Sequence, residues 1–99
     1  MGMVAKLANN GVALLTIPLV LEARSMAAAY GMNMDTLMAV MRAGTANSFV
    51  VQAWKWVEDH SEKGAPVALK DLRLYQQAAF AKGVQTLLLD TQLAKGNLV

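Results

Sequence analysis

The sequence has no cysteine. That excludes a disulfide framework and any thiolate metal site, and it fits a reducing compartment, so a cytoplasmic location is expected. Histidine occurs once, as His60. It has no ligand companions at metal spacing, so no metal cofactor is expected. The glycine-rich phosphate loop, HExxH, Ser-His-Asp and EF-hand patterns are all missing, which removes the nucleotide-cradling, zinc-protease, triad-hydrolase and calcium-loop classes. No basic stripe exists either. Nine Lys and Arg are scattered among seven acids for a net charge of +2, so nucleic acid is not an expected partner. The uncharged run from Leu7 to Leu21 contains Asn9, Asn10 and Pro18 and is shorter than the roughly 20 residues that span a bilayer. Lys6 alone is a poor basic region for a signal peptide. Membrane insertion is therefore not expected.

What is present is apolar. The 99 residues suffice for one domain and are too few for two. Yet 56% of them are hydrophobic before glycine is counted, where an ordinary soluble domain has roughly 45–50% with glycine included. So small a monomer has little interior to hold the excess. A partner surface is expected, supplied by a second copy of the chain or by another domain.

Ala, Leu, Met, Gln and Lys dominate, all good helix formers. No stretch alternates apolar and polar residues as a half-buried strand would. The fold class expected is all-α: a compact bundle of about five helices around a long apolar central one. The first helix is predicted over about Met3 to Tyr30, ended by Gly31. Its middle, Gly11 to Leu21, is apolar on nearly every side and should lie in the centre of the fold. Pro18 should kink it or break it in two. Asn33 is the expected N-cap of the second helix, with Asp35 in its first turn, a buried stripe of Leu37, Met38, Val40 and Met41, and Gly44 at its end. Asn47 or Ser48 caps the third, which carries Phe49, Val50, Ala53, Trp54 and Val57. Asp59 to Pro66 is polar and holds Gly64 and Pro66, so it reads as a loop. The fourth helix is predicted over Val67 to Lys82, before Gly83, and the fifth over Gln85 to Lys95, before Gly96.

Three features could carry chemistry. Lys6 and Asn10 are four apart, so on a helix they share one face. An ammonium and a carboxamide side by side can grip a hydroxyl and a carboxylate together, and a desolvated amine can exchange a proton. The same spacing also describes the solvated first turn of a core helix. Lys70 and Asp71, at the front of the predicted fourth helix, could reach a ligand, with Asp71 orienting Lys70 or capping the helix; otherwise they are a surface charge pair. Phe49, Trp54 and Trp56 read first as core packing, and alternatively as an interface anchor.

These signals fall in a familiar order. Gly2-Met3-Val4-Ala5-Lys6-Leu7-Ala8-Asn9-Asn10 resembles the GxxxKxxNN signature of the β-hydroxyacid dehydrogenases. That family includes 3-hydroxyisobutyrate dehydrogenase, tartronate semialdehyde reductase and, more distantly, 6-phosphogluconate dehydrogenase. Glu22-Ala23 matches the EA pair of its long central helix, and Gly31-Met32-Asn33 the end of that helix, where Gly-Leu-Asp is usual. Gly44 and Ser48 resemble its small-residue segment. Lys70-Asp71-Leu72-Arg73-Leu74, with Ala78, Ala79 and Gly83-Val84, looks like its KDLxLAxxxA…GV stretch. After Val84 the family continues with Leu-Pro and a longer helix, whereas Gln85-Thr86-Leu87 follows here.

The resemblance implies a C-terminal helical domain over residues 1–99, carrying substrate, catalytic and oligomerisation surfaces. It implies a catalytic lysine at Lys6, substrate binding by Asn10, a cofactor-facing lysine at Lys70 and support from Asp71. NAD or NADP would be held mainly by a Rossmann domain, and no GxGxxG occurs in these residues. The substrate would be a small 3-hydroxy acid. The chain alone is then expected to be a homo-oligomer, a dimer through the apolar central helix, without turnover of its own. The alternative expectation is a non-enzymatic self-association module derived from such a domain.

Overall fold

The computed structural model describes residues 2–98. Among them there are five helices: α1 (Gly2–Ala29), α2 (Met34–Ala43), α3 (Phe49–Gln52), α4 (Trp54–Phe80) and α5 (Leu87–Ala94). Two of these dominate. At about 1.5 Å per residue, α1 and α4 are each roughly 40 Å long, close to the 44 Å long axis of the molecule. They run antiparallel: Arg24, late in α1, bonds Glu58, early in α4, while Gly11 meets Tyr75. The other helices pack against this pair, and α1 touches all four of its neighbours.

The helix ends follow local chemistry. Gly31 and Gly83 adopt φ of 79° and 69°, which a β-carbon would oppose. That left-handed turn lets Met32 N–H reach the Ala27 carbonyl and Val84 N–H the Ala79 carbonyl, both at 3.0 Å, closing each helix. Asn33 accepts from Thr36 N–H and Ser48 from Val51 N–H, capping α2 and α3.

Two expectations fail, and so does one alternative of a third: Pro18 does not break α1 in two, and the helix continues through it. A proline inside a helix costs about 3 kcal/mol, and Ile17 and Val20 beside it are buried in the core, which offsets that cost. Asp59 to Pro66 is not a loop, and the fourth helix does not begin at Val67; α4 runs unbroken from Trp54 past Gly64 and Pro66. The polar residues there sit on a solvated face laced by one-turn pairs, Lys55–Asp59 at 3.3 Å and Trp56 stacked on His60 with centroids 4.3 Å apart. Trp56 belongs to that face, whereas Phe49 lies in α3. Trp54 is buried, but Trp56 is 61% and Phe49 82% exposed, so only Trp54 serves the core.

The core has two parts joined by Leu14. One gathers Ile17 and Val20 of α1, Met38 of α2, Val50 and Val51 of α3, and Trp54 and Val57 of α4. The other gathers Leu72, Leu89 and Leu98. No charged side chain is buried among the described residues. In α2 the expected stripe is narrower than its sequence suggests: Met38 is buried, while Val40 is exposed.

Candidate functional site

Lys6 and Asn10 lie on one unbroken stretch of α1, so their side chains rise from the same ridge. Lys6 is exposed and Asn10 half-buried. Gly11, the next residue, is buried against Tyr75. One residue is about 100° of helical rotation, which turns the ridge aside from the α1–α4 contact and toward the outside of the bundle. Asn9 Nδ2 approaches Asn10 Oδ1 at 3.5 Å, too long to hold the amide firmly. A groove of about 460 Å³ runs along the neighbouring side of α1, lined by Asn9, Val12, Thr16, Ser48 and Phe49 among others.

Lys70 and Asp71 lie in the second half of α4, not at a helix front. Asp71 therefore cannot be an N-cap. Leu72 is fully buried, and Lys70, two residues away and thus about 200° round the helix, projects to solvent. Asp71 is half-buried beside it. Lys6 is five residues before Gly11 and Lys70 five before Tyr75. Because the helices are antiparallel, the two lysines lie on opposite sides of that contact, about 15 Å apart along the axis. Among the described residues the chain closes no cavity around both. It presents two separate outward sites, and among the described residues neither ammonium is in an ion pair.

Such an arrangement suits a ligand presented from outside the bundle. An exposed ammonium and a carboxamide on one ridge can take a carboxylate and a hydroxyl, and a second ammonium on α4 can take an anionic group elsewhere on the same ligand.

Other built features escaped the sequence reading. Tyr75 stands where the KDLxLA pattern has alanine, and its ring fills the space that Gly11 leaves. Only the glycine after Asn9-Asn10 hinted at a close approach. Arg24 bonds Glu58 at 2.7 Å and lies 5.7 Å over the Trp54 ring. Asp90 Oδ1 accepts from Gln76 Nε2 at 2.8 Å and Thr86 Oγ1 at 2.9 Å, tying α5 to α4. Apart from Thr86–Asp90, four positions apart, these pairings join residues 14 to 64 positions apart, so spacing alone could not reveal them.

No curated protein and no solved structure matches the chain. A family profile does match, over residues 1–95, and it is described as the NAD-binding domain of NADP-dependent 3-hydroxyisobutyrate dehydrogenase. A match over nearly the whole chain, together with an all-helical fold carrying the GxxxKxxNN ridge on one continuous helix, makes this protein a member of the 3-hydroxyisobutyrate dehydrogenase family, related to the NAD(P)-dependent dehydrogenases.

Proposed function

We propose that this chain is the C-terminal helical domain of an NAD(P)-dependent dehydrogenase acting on the CH–OH group of a small 3-hydroxy acid, and that it works together with a nucleotide-binding Rossmann domain. The observation that carries the reading is the family match over residues 1–95. The common ridge of Lys6 and Asn10, open to the outside of the bundle, supports it.

The residues present suit a dinucleotide as an outer contact and not as a cradle. Lys70 is an exposed ammonium outside any ion pair among the described residues, whereas the chain has no glycine-rich turn to hold a pyrophosphate. Lys70 would meet the cofactor, with Asp71 positioning it. When bound, NAD(P) supplies the two-electron acceptor for the hydride of the alcohol carbon. The chain's own residues handle the proton. Lys6 Nζ, as the neutral amine, takes it from the substrate hydroxyl in oxidation and, as the ammonium, returns it in reduction. Asn10, one turn on, holds the substrate in register with Lys6.

The test is complementation. The chain mixed with a Rossmann domain of this family should form NAD(P)H from 3-hydroxyisobutyrate or a related acid. Lys6→Ala should lower kcat at least about 100-fold without weakening the complex. A complex that forms but does not turn over, or turnover indifferent to Lys6→Ala, overturns the proposal.

A further inference from the structure

A groove of about 690 Å³ lies where the end of α4 turns into α5, a size that suits a small organic molecule. Gln76, Gln77 and Phe80 of α4 form one side, and Gln85, Thr86 and Asp90 the other. Asp90 is the one ionised side chain in the wall, and among the described residues no Lys or Arg lines it. Two helix ends meet here, the negative end of α4 and the positive end of α5, and their partial charges oppose one another. The last turn of α4 holds no basic residue, so Asp90 leaves the groove negative. Lys82 stands outside the wall and, among the described residues, in no ion pair. Oδ1 of Asp90 takes the bonds from Gln76 and Thr86. No bond or ion pair among the described residues reaches its Oδ2. Gln76 donates to Asp90 through Nε2, which leaves its Oε1 to accept. Phe80 is 82% exposed, so its ring is open to a ligand.

We propose that this groove binds a guanidinium group carried on a short alkyl stem. Each part of the wall selects one property of that ligand. The Asp90 carboxylate selects a cation and excludes an anion. Oδ2 of Asp90 and Oε1 of Gln76 are acceptors, so the cation must bring N–H donors. That excludes a quaternary ammonium. Phe80 offers the face of a ring, on which a planar, weakly hydrated guanidinium stacks and a compact ammonium does not. Gly83 and Val84, at the turn between the helices, give the alkyl stem an apolar surface. A free guanidino compound and the arginine of a peptide present the same group, and both fit this description. None of Lys6, Asn10, Lys70 and Asp71 lines the groove, so the inference is independent of the dehydrogenase reading.

Butylguanidine titrated into the isotope-labelled chain at low salt, followed by amide chemical shifts, tests this. Saturable shifts should gather at residues 76–90 and be complete by about 10 mM. Butylamine should bind at least about threefold more weakly. Asp90→Asn keeps an oxygen for Gln76 and Thr86 and removes the charge, and it should weaken binding at least about tenfold. Phe80→Leu, at an exposed position, should weaken it about threefold. Lys82→Gln should strengthen it about twofold by removing a nearby like charge. If Asp90→Asn loosens α5, the variants at 80 and 82 still decide. The acetylated amide of arginine separates the two sources: affinity at or above that of butylguanidine assigns the groove to a peptide arginine, and lower affinity to a free guanidino compound. Absence of saturation by about 50 mM overturns the proposal, as do shifts centred elsewhere on the chain. Butylamine or sorbitol binding as well as butylguanidine, or affinity indifferent to both Asp90→Asn and Phe80→Leu, does the same.

Discussion

The backbone of Gly11 lies directly beneath the ring of Tyr75: a β-carbon at position 11 would overlap Cδ2 and Cε2 of that ring. This contact fixes where α1 and α4 meet, and therefore how the Lys6–Asn10 ridge stands relative to Lys70. Gly11→Ala is expected to destabilise the fold by about 1–3 kcal/mol, the usual cost of overpacking. In a Tyr75→Ala background the sign should reverse. The clash is gone there, and alanine exceeds glycine in a helix by about 0.5–1 kcal/mol. A double-mutant cycle read by urea denaturation checks both signs.

Leu72 is fully buried between α4, α5 and α1. Leu72→Ala should cost about 2–5 kcal/mol, combining lost transfer energy with a residual cavity. Thermal unfolding of the variant measures it. A cost below 1 kcal/mol would mean that the second core collapses freely around the gap.

Arg24 has two partners, the Glu58 carboxylate and the face of Trp54. Glu58 is nearly half exposed, so the ion pair itself should contribute at most about 1 kcal/mol. Arg24→Ala should cost more than Glu58→Gln, because it also uncovers Trp54 and removes a cation–π contact. Raising salt should shrink the Glu58 effect and leave the remainder of the Arg24 effect standing. Equal costs for the two variants would rule out a role for the ring.

Asp90 holds α5 through its bonds to Gln76 and Thr86. Asp90→Ala should cost about 1–2 kcal/mol, and the loss should be local. Amide hydrogen exchange should accelerate in α5 well before it does in α1.

Local chemistry was legible in the sequence. The glycines at 31, 83 and 96 marked chain reversals because all three carry positive φ, and Asn33 and Ser48 marked helix starts because their side chains satisfy free amides. The common ridge of Lys6 and Asn10 followed from a spacing of four, which any helix turns into adjacency. Gly64 and Pro66 misled for the same reason. As local signals they say loop, at a cost in a helix of about 1 and 3 kcal/mol. Val57 and Leu72, buried on either side of them, hold α4 against its neighbours and outweigh that signal.

The sequence alone therefore determined the helical class, most helix ends, the family and the chemical types at positions 6, 10, 70 and 71. Tertiary structure decided what no periodicity encodes: that α1 and α4 pass antiparallel with Tyr75 seated on Gly11, that the two lysines diverge from that contact, and that α1 keeps one apolar face, with Val12, Leu19 and Met26, uncovered. The physical reason is that helix formation depends on neighbours within four residues. The direction a face points depends on which distant side chains compete to bury it.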